Sequence, residues 1–319
     1  MARRSARVGG TLPTHVLRRA LCAASAAQTG DTMRQVHWNL RRCVDPATGT
    51  NSTARVLACI KNLEPTVLTL NEVDISMTPS LFEEFAALGL RHQSFFGHVR
   101  EGQYGNALLS TLPLERVTHT HLDGGTVVLK RDGTKHRIAR GMLSASINAF
   151  GVSTRISVTH LDHMSAEQRR VQMAHVLRTM TDEAAAASEP TILVGDLNAL
   201  SKRDYTAAQW GAHEAHNAAK GWGPPVDDAA EDGSLGLLAS SGFVDAFYSL
   251  LSPRGGGEWA TPPWTAHARV PDGPRYRIDY VWSRAPTEAR SGLVARAACV
   301  ERDCGGASDH QPIVIEWGG

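Results

Sequence analysis

The chain has 319 residues, of which 42% are hydrophobic and 20% are charged, and its formal net charge is +1. These values are typical of a globular protein with a buried core and argue against an intrinsically disordered chain. They also argue against a broad basic surface for long duplexes, so a nucleic acid would bind through a local patch or as a short strand. No apolar run reaches the roughly 18 residues of a transmembrane helix, so we expect no stable membrane anchor.

The cysteines indicate neither a disulfide framework nor a zinc site. Their number is odd, and no two of them form a CxxC pair. Reduced cysteines are typical of intracellular compartments, so we expect an intracellular protein. The five residues are Cys22, Cys43, Cys59, Cys299 and Cys304.

The N-terminal segment has a composition of its own. Residues 1–30 contain five arginines and no acidic residue. This pattern is typical of a transit peptide, which predicts a mitochondrial or other organellar location. A disordered tail, or translation that starts at Met33, explains the same composition, and the location would then be cytoplasmic or nuclear. We assign residues 1–34 to this tail and residues 35–319 to one domain, because no linker divides the remainder.

The predicted elements begin with the short strand QVHWNL, which starts near Val36 and is rich in β-forming residues. A helix is expected over residues 52–63, because the apolar side chains recur at helical spacing and share one face. The continuous apolar run TVLTLNEV predicts a buried strand. The capping-box spacing of Ser80 and Glu83 then predicts a short helix.

The next part of the chain is rich in predicted strands. Residues 92–160 contain the candidate strands GNALLST, GMLSASINAF and TRISVTHL, and the alternation in RISVTH indicates one buried face. Ser165 and Gln168 form a second capping box, which opens a long helix. The apolar segment TILVGD predicts another buried strand.

Two polar segments interrupt the second half of the chain. We interpret residues 201–235 as a long surface excursion that carries Tyr205, Trp210 and Trp222, and residues 252–275 as a second loop. The segments RYRIDYVW and PIVIEW predict the closing strands. Strands in both halves, separated by helices, predict a layered α/β fold, but the local pattern does not fix the sheet topology.

Polar residues of catalytic type follow the apolar strands directly. A strand holds its last residue rigidly, and the turn after it opens toward solvent. Taken singly, most of these residues have an ordinary explanation as a turn residue, an exposed strand end or a structural histidine. A carboxylate inside RIDYVW is harder to explain, because it is costly there unless it is paired or binds a ligand. The candidates are Asn39, Glu72, His160, Asp196, Asn198 and Asp279 at strand ends, and Asp309 and His310 before the last strand.

The combination of these residue types points to a metal-dependent site. Carboxylate and amide oxygens suit Mg²⁺ or Mn²⁺, which keep several water ligands and bind through few carboxylates plus a substrate phosphate. A histidine held by an aspartate suits general acid–base chemistry near neutral pH. The chain has no GxxxxGK[ST] motif and no GxSxG motif, so neither a P-loop nucleotidase nor a serine hydrolase is supported.

The same segments resemble the endonuclease/exonuclease/phosphatase superfamily of deoxyribonuclease-like, metal-dependent phosphoesterases. The resemblance implies a four-layer α/β sandwich, with two facing mixed β-sheets flanked by helices, and a catalytic role for residues 35–319. One departure is Asn71, which stands where the second motif of the family usually has glutamine. The similar motifs, in the order of the family, are VHWNL, LTLNEVD, GNALLSTLPL, THLDH, ILVGDLNAL, RIDYVW and SDHQPIV.

The resemblance also implies a binding site for a divalent metal, Mg²⁺ or Mn²⁺. Glu72 would bind the metal directly, and Asn39 would support that ligand and the water shell of the ion. Asp309 would contribute to the same metal site. Asn71 neighbours the ligand and does not replace it, so the departure from glutamine leaves every implied ligand in place.

The resemblance implies further roles for the remaining candidates. Asp196 would orient or deprotonate the attacking water, and Asn198 would fix Asp196 and contact the phosphate. Asp279 would hold His310, which would act as the base or as a donor to the phosphate. His160 would donate to a phosphate oxygen in the transition state. The resemblance leaves open which residue is the base.

Three residues in the similar segments RIARGML and EQRRVQ have two interpretations each. Arg140 would bind a phosphate or support the active site, and the alternative is a structural ion pair. Arg169 and Gln172 lie on one face of the predicted helix. For these two residues we favour a structural role.

The sequence therefore predicts a Mg²⁺- or Mn²⁺-dependent hydrolase that cleaves a phosphodiester or phosphomonoester with an activated water. A nuclease or nucleic-acid end-processing enzyme is the first expectation, because the aromatic residues of the 201–235 excursion suit stacking on bases. The alternatives are an inositol or lipid phosphate phosphatase, a sphingomyelinase-like phosphodiesterase, and a non-catalytic binding module on the same fold. We expect a monomer whose partner is the phosphoester substrate, with any nucleic acid single-stranded or short.

Overall fold

Two six-stranded mixed sheets face each other, and helices cover their outer faces. This arrangement, seen in a computed structural model, confirms the predicted four-layer α/β sandwich. The predicted tail up to residue 31 lies outside the described part of the chain. The structure describes residues 32–129, 133–185, 189–252, 259, 263–267, 273–285 and 293–319.

Strands and helices are numbered here in chain order. The strands are β1 (Thr32–Asn39), β2 (Val67–Asp74), β3 (His92–Val99), β4 (Tyr104–Ser110), β5 (Glu115–His121), β6 (Val127–Leu129), β7 (Lys135–Arg137), β8 (Gly141–Ala149), β9 (Val152–His160), β10 (Thr191–Asp196), β11 (Val244–Asp245), β12 (Ala266–His267), β13 (Arg275–Tyr276), β14 (Asp279–Arg284), β15 (Val294–Val300) and β16 (Ile313–Gly318). The helices are α1 (Thr53–Leu63), α2 (Leu81–Ala87), α3 (Ala166–Ala185), α4 (Ala207–Ala219), α5 (Ser234–Ser240) and α6 (Ala246–Leu251).

The strand order explains why residues that are distant in sequence meet. The first sheet has the order β15-β16-β1-β2-β4-β3, and the second has the order β11-β14-β10-β9-β8-β5. Each sheet contains one parallel pair, β1 with β2 and β9 with β10, and the adjoining pairs are antiparallel. The carboxyl ends of a parallel pair lie at the same edge of the sheet. The polar residues that follow these four strands are therefore brought together.

The apolar residues of β2 pack on both of its faces. Val67 lies in the core between the two sheets, whereas Leu68 and Leu70 pack with Val56 and Ile60 of α1. A strand buried on both faces reads as a continuous apolar run, which is why TVLTLNEV could be predicted as a strand. Each fully buried side chain of this size contributes about 1.5–3 kcal/mol.

On the other side of the molecule, α3 covers the second sheet. Its residues Met173, Val176 and Met180 form a third core with Leu193 of β10 and Tyr280 of β14. The helix begins near the predicted capping box, but only half of that box forms. The Ser165 hydroxyl oxygen accepts a hydrogen bond from the backbone N–H of Gln168. The Gln168 side-chain oxygen, however, accepts from the backbone N–H of Gly125, and not from that of Ser165.

Two local predictions differ from the structure. The first strand begins at Thr32, four residues before the expected Val36, because the residues from Thr32 onward already pair with β16. The helix predicted from Ser80 and Glu83 forms, but the Ser80 side chain makes no capping hydrogen bond.

The 201–235 segment lies largely at the surface, as predicted, but it contains helix α4 and buried aromatic residues and is not a plain loop. Helix α4 begins with a complete capping box at Thr206. The rings of Tyr205 and Trp210 pack 5.8 Å apart between centroids, and Trp210 is buried. The glycine and proline content of the segment predicted a loop. The packing of its large aromatic side chains against one another stabilises a folded structure instead. Trp222, which is 60% exposed, keeps the accessible surface that base stacking would need.

The prediction of reduced cysteines is also wrong. Cys59 of α1 and Cys304, which follows β15, form a disulfide across 245 residues of sequence, and Cys299 is disulfide-bonded too. Cys43 is a buried free cysteine. Spacing could not reveal this pairing, because it depends on how α1 packs beside the segment that leads into β16. The cysteine argument for an intracellular compartment therefore no longer holds.

Among the helices of the described residues, none combines the length and apolar character that crossing a membrane requires.

Candidate active site

A β-bulge at the end of β2 presents Glu72. The ladder between β2 and β4 shifts register between Leu70 and Val73, and Glu72 has a left-handed backbone with φ of 54°. Bulges of this kind re-aim side chains beside active sites, and a left-handed non-glycine residue is strained. As a result Asn71 is buried and reaches Asp196 on the facing sheet, while the half-buried Glu72 reaches Asn39.

Asn39 joins two carboxylates that come from different sheets. It ends β1, beside Asn71 in the parallel register. Its Nδ2 atom donates to Asp196 Oδ2 at 2.9 Å and to Glu72 Oε1 at 3.2 Å. Its Oδ1 atom accepts from the backbone N–H of Arg41 at 3.0 Å, which fixes the orientation of the amide. The Asn39 side chain therefore holds Glu72 and Asp196 close together.

Asp196 stands between the ends of two neighbouring strands. In the register of the second sheet it is opposite His160 on β9 and opposite Asp279 on β14. Gly195, just before it, has a φ of 156°, and a Cβ atom there would overlap the carbonyl oxygen of Thr159. Only glycine lets β9 and β10 approach this closely at the site.

We expect Gly195→Ala to damage both stability and catalysis, because the added methyl group must push β9 away from β10. The free energy of unfolding should fall by about 1–3 kcal/mol. The displacement of His160 and Asp196 should lower kcat by roughly tenfold to a hundredfold. Denaturant unfolding and hydrolysis of bis(p-nitrophenyl) phosphate would measure the two effects.

The control for this prediction is Gly211→Ala in helix α4, where an added Cβ meets no atom within 4 Å. Alanine favours helix over glycine, so this variant should be as stable as the wild type or more stable. Equal stability and activity of Gly195→Ala and the wild type would contradict the prediction.

Asp279 and His310 form the most tightly coupled pair of the site. The Nδ1 atom of His310 donates to Asp279 Oδ2 at 2.8 Å, and its Nε2 atom lies 3.7 Å from Asp196 Oδ2. Burial alone would lower the pKa of His310, but Asp279 outweighs it and raises that pKa to about 10. Burial would likewise raise the pKa of Asp279, but His310 holds it well below its usual range. The pair is therefore an imidazolium held by a carboxylate.

Asp196 and His160 have the opposite electrostatic character. Burial, followed by the charge of Asp279, raises the pKa of Asp196 to about 7. Burial and the nearby Arg140 guanidinium hold the pKa of His160 well below its usual range. The Nε2 atom of His160 lies 3.6 Å from Asp196 Oδ2. The site thus combines a carboxylate that can accept a proton near neutral pH with a neutral imidazole that can donate a hydrogen bond.

Asn198 supports Asp196 through its backbone. It has a left-handed conformation, with φ of 49°, which asparagine tolerates better than most residues. Its N–H donates to Asp196 Oδ1 at 3.0 Å, and its side-chain Nδ2 donates to the carbonyl oxygen of Leu161 at 3.2 Å.

Arg140 approaches the site from the connection between β7 and β8, directly before the first residue of β8. It is buried, its Nη2 atom lies 3.2 Å from His163 Nδ1, and its Nε atom has no hydrogen-bond partner among the described residues. Among the described residues, no carboxylate forms the structural ion pair with Arg140 that was considered from the sequence. Arg169 and Gln172 are structural, as favoured from the sequence. Arg169 pairs with Asp228 at 2.9 Å, and Gln172 accepts from a backbone N–H.

The donor atoms of the site have the spacing of a metal centre. One ligand atom each from Glu72, His160 and Asp196 lie within 4.8 Å of one another, and the same holds for Asp196, Asp279 and His310. Carboxylate oxygens and imidazole nitrogens at this spacing fit a divalent ion such as Mg²⁺ or Mn²⁺.

Asp309, which the sequence assigned to the metal, belongs to neither of these groups. Its Oδ2 atom lies 3.4 Å from Nε of Arg41, and its backbone carbonyl accepts from His267 N–H. The negative charge of Asp309 nevertheless contributes to raising the pKa of His310, so it lies at the edge of the site.

Sequence reasoning missed several residues of this centre. His37 Nε2 lies 3.5 Å from Asp279 Oδ1, and burial together with the nearby charge of Glu72 raises the pKa of the Tyr104 phenol. Asn71 and Asn106 form a buried pair beneath the carboxylates. A signal for Tyr104 and Asn106 was present in YGNALLS, where polar side chains interrupt a strand that is otherwise apolar.

The sequence profile of the Endonuclease/Exonuclease/phosphatase family matches residues 36–310. The chain belongs to this family. The match spans every candidate site residue from Asn39 to His310, and members of the family are hydrolases that act on phosphoester bonds. Among curated proteins, none matches the chain.

Solved structures of this family share the fold. An endonuclease/exonuclease/phosphatase from Beutenbergia cavernae DSM 12333 is 23% identical, with a TM-score of 0.62, over 90% of this chain and 72% of that one. The human Nocturnin catalytic domain with bound sulfate is 19% identical, with a TM-score of 0.61, over 90% and 93%. ANGEL2, described as a 2',3'-cyclic phosphatase, is 15% identical, with a TM-score of 0.59, over 90% and 95%. At these identities the likeness establishes the fold of the family alone.

Proposed function

We propose that this chain is a Mg²⁺- or Mn²⁺-dependent phosphoesterase that hydrolyses a phosphodiester or phosphomonoester by attack of an activated water. The observation that carries the proposal is the position of Asp196. Its carboxylate lies beside the Asp279–His310 pair and shares the Asn39 amide with Glu72. A general base, a cationic donor and a metal-binding carboxylate thus converge within a few ångströms.

Glu72 is the proposed direct ligand of the ion, with Asn39 and Asp309 in supporting positions and the nearby donors of His160 and Asp196 available to it. A bound divalent ion would neutralise negative charge on the phosphate and polarise it. The amide of Asn39 keeps the Glu72 carboxylate oriented, because its Nδ2 atom bonds Glu72 while its Oδ1 atom is fixed by the backbone.

The remaining residues divide the proton transfer and the charge stabilisation between them. Asp196, whose pKa is raised to about 7 by burial and Asp279, orients the water and accepts its proton. His310, held by Asp279, remains protonated and donates from Nε2 to the phosphate as charge develops. Asn198 also supports Asp196, because the backbone N–H of Asn198 donates to Asp196 Oδ1.

Two further donors complete the proposed phosphate site. His160 is neutral and donates a hydrogen bond to a phosphate oxygen. Arg140, buried and with part of its guanidinium unpartnered among the described residues, supplies a positive charge beside it. The Asn198 side chain now donates to the Leu161 carbonyl oxygen. If it released that carbonyl, it would contact the same phosphate.

We propose nucleic acid as the first candidate substrate, either cleaved by a nuclease activity or processed at its end. The exposed ring of Trp222, whose centroid lies 6.1 Å from that of the half-buried His216, offers a surface in the 201–235 segment that suits stacking on a base. The net charge of +1 favours a short or single-stranded substrate over long duplex. A 2',3'-cyclic phosphatase among the structural neighbours is consistent with this choice.

A lipid or inositol phosphate substrate is the second candidate, and the β6–β7 hairpin favours it. The hairpin register pairs Val127 with Arg137 and Leu129 with Lys135, so that these four exposed side chains share one face. Aliphatic side chains next to cations suit an anionic lipid surface. A phosphoinositide phosphatase or a sphingomyelinase-like phosphodiesterase would use such a face.

The test is hydrolysis of bis(p-nitrophenyl) phosphate, 5′-labelled single-stranded RNA and DNA, a soluble inositol phosphate and sphingomyelin, each with Mg²⁺, Mn²⁺ or EDTA. Glu72→Ala and His310→Ala should abolish turnover. Matched controls are Glu316→Ala, which removes a carboxylate paired with Arg34, and His175→Ala, which breaks a histidine–aspartate pair with Asp123. Both controls should retain wild-type kcat.

Cleavage that requires a metal and both active-site residues would support the proposal, and the cleaved substrate would name the subclass. Hydrolysis of the lipid or inositol substrates with intact oligonucleotides would replace the nucleic-acid assignment by the second candidate. A folded wild type that cleaves none of the substrates with either metal would favour the non-catalytic binding module.

A further inference from the structure

Two buried asparagines connect the facing sheets directly beneath the carboxylates. Asn71 Oδ1 accepts from the backbone N–H of Asp196 at 2.7 Å, and Asn71 Nδ2 donates to Asn106 Oδ1 at 2.8 Å. Asn106 Nδ2 in turn donates to the carbonyl oxygen of Gly141 at 2.8 Å. The Thr159 hydroxyl donates to the same carbonyl at 3.1 Å. The chain of bonds therefore runs from β10 through β2 and β4 to β8 and β9.

Each group in this chain has a partner, and neither asparagine reaches solvent. Asn71 and Asn106 both have an exposed fraction of 0%. Burying amides is costly unless they are hydrogen-bonded, and a fully satisfied network is rigid and specifies one arrangement. The two side chains therefore stay away from any substrate and act only through the groups that they hold.

The groups that they hold are those of the proposed active site. Asn71 directly precedes Glu72 within the β2 bulge, so its bond to the Asp196 backbone links the chain segments that carry the two carboxylates. Asn39 makes a second link between the same two carboxylates, through their side chains. At its other end, the bond of Asn106 fixes the carbonyl that follows Arg140.

We propose that Asn71 and Asn106 are positioning residues that set the separation between Glu72 and Asp196, and with it the geometry in which this centre binds a divalent ion. The inference rests on the proposed phosphoesterase function, and its first readout is metal binding rather than turnover. Side chains that orient ligands from behind typically contribute tenfold to a hundredfold to metal affinity or activity.

The experiment compares the wild type with Asn71→Ala and Asn106→Ala. Mn²⁺ binding is followed by electron paramagnetic resonance, and kcat and KM are measured with bis(p-nitrophenyl) phosphate. For Asn71→Ala we expect the Kd for Mn²⁺ to rise about tenfold and kcat to fall tenfold to a hundredfold, with KM changed by less than about twofold. Asn106→Ala should move both quantities in the same direction by a smaller factor, because the Asn71–Asp196 bond remains.

The matched control is Ser144→Ala, which removes a buried hydrogen bond to Ser157 between β8 and β9, away from the carboxylates. A purely structural role for the asparagines predicts that all variants lose Tm and that none changes the Kd of the folded protein. The positioning role predicts that Ser144→Ala loses Tm alone. Should Asn71→Ala fail to fold, Asn106→Ala decides the question by the same criterion.

A folded Asn71→Ala, or Asn106→Ala in its place, with wild-type Kd and kcat would overturn the positioning role. A wild type that binds Mn²⁺ but hydrolyses no phosphoester would refute the proposed function, while the Kd of the variants would still test the positioning role. A wild type that binds no Mn²⁺ would overturn both.

Discussion

Asp196→Asn is expected to lower kcat by a factor of roughly 10²–10⁴, because it removes the proposed general base. Its stability should not fall in parallel. The substitution removes a buried negative charge that lies against Asp279 and near Glu72, and burial with Asp279 already raises the pKa of Asp196 to about 7. The hydrogen bond lost from Asn39 or Asn198 costs only about 1 kcal/mol. Hydrolysis of bis(p-nitrophenyl) phosphate and calorimetry in EDTA would measure the two effects.

A matched substitution in a different buried aspartate should show the reverse. Asp228 is buried and paired with Arg169, outside the proposed site. Asp228→Asn weakens that pair, so it should lower Tm while the folded fraction keeps wild-type kcat. If Asp196→Asn retained more than about a tenth of wild-type kcat, a loss far below that of general base catalysis, Asp196 would not be the base.

Arg277→Ala is expected to lower the free energy of unfolding by about 3–5 kcal/mol, since it leaves buried Asp204 without its paired cation and leaves Asp245 with only the more exposed Arg203. Arg277 has an exposed fraction of 0%. Its Nη1 atom lies 3.0 Å from Asp204 Oδ2, and its Nη2 atom lies 2.7 Å from both oxygens of Asp245. Urea unfolding at neutral pH would measure the loss.

Arg203 supplies the control, because it contacts the same Asp245 carboxylate from a more exposed position. Its Nη2 atom lies 3.3 Å from Asp245 Oδ2, and its side chain is 38% exposed. Arg203→Ala should cost less than about 1 kcal/mol. Equal losses for the two variants would show that burial of the pair does not determine its contribution.

The strands, the helices and the positions of the candidate residues could be predicted from local pattern, whereas the four-layer arrangement was implied only by the resemblance to the family. Strands buried on both faces appear as apolar runs, as in β2 and β10, and the polar residue after each run marks the edge of the sheet. The parallel registers of β1 with β2 and β9 with β10 then bring Asn39, Glu72, His160 and Asp196 together. The catalytic roles of these residues remain predictions.

Features that depend on contact between distant segments were not accessible. The left-handed backbone of Glu72 follows from the bulge against β4, and no residue type in LTLNEVD announces it. The bond from Asn71 to the Asp196 backbone spans 125 residues and the gap between the sheets. The Cys59–Cys304 disulfide and the burial of Trp210 likewise arise from packing that has no local signature.

The placement of β1 has a consequence for synthesis of the protein. This strand, which carries Asn39, lies between β2 and β16, and β16 directly follows His310. Until the segment that contains His310 and β16 has been synthesised, the first sheet is open along the edge of β1. The centre proposed above can therefore form only after β16 has paired with β1, late in the synthesis of the described residues.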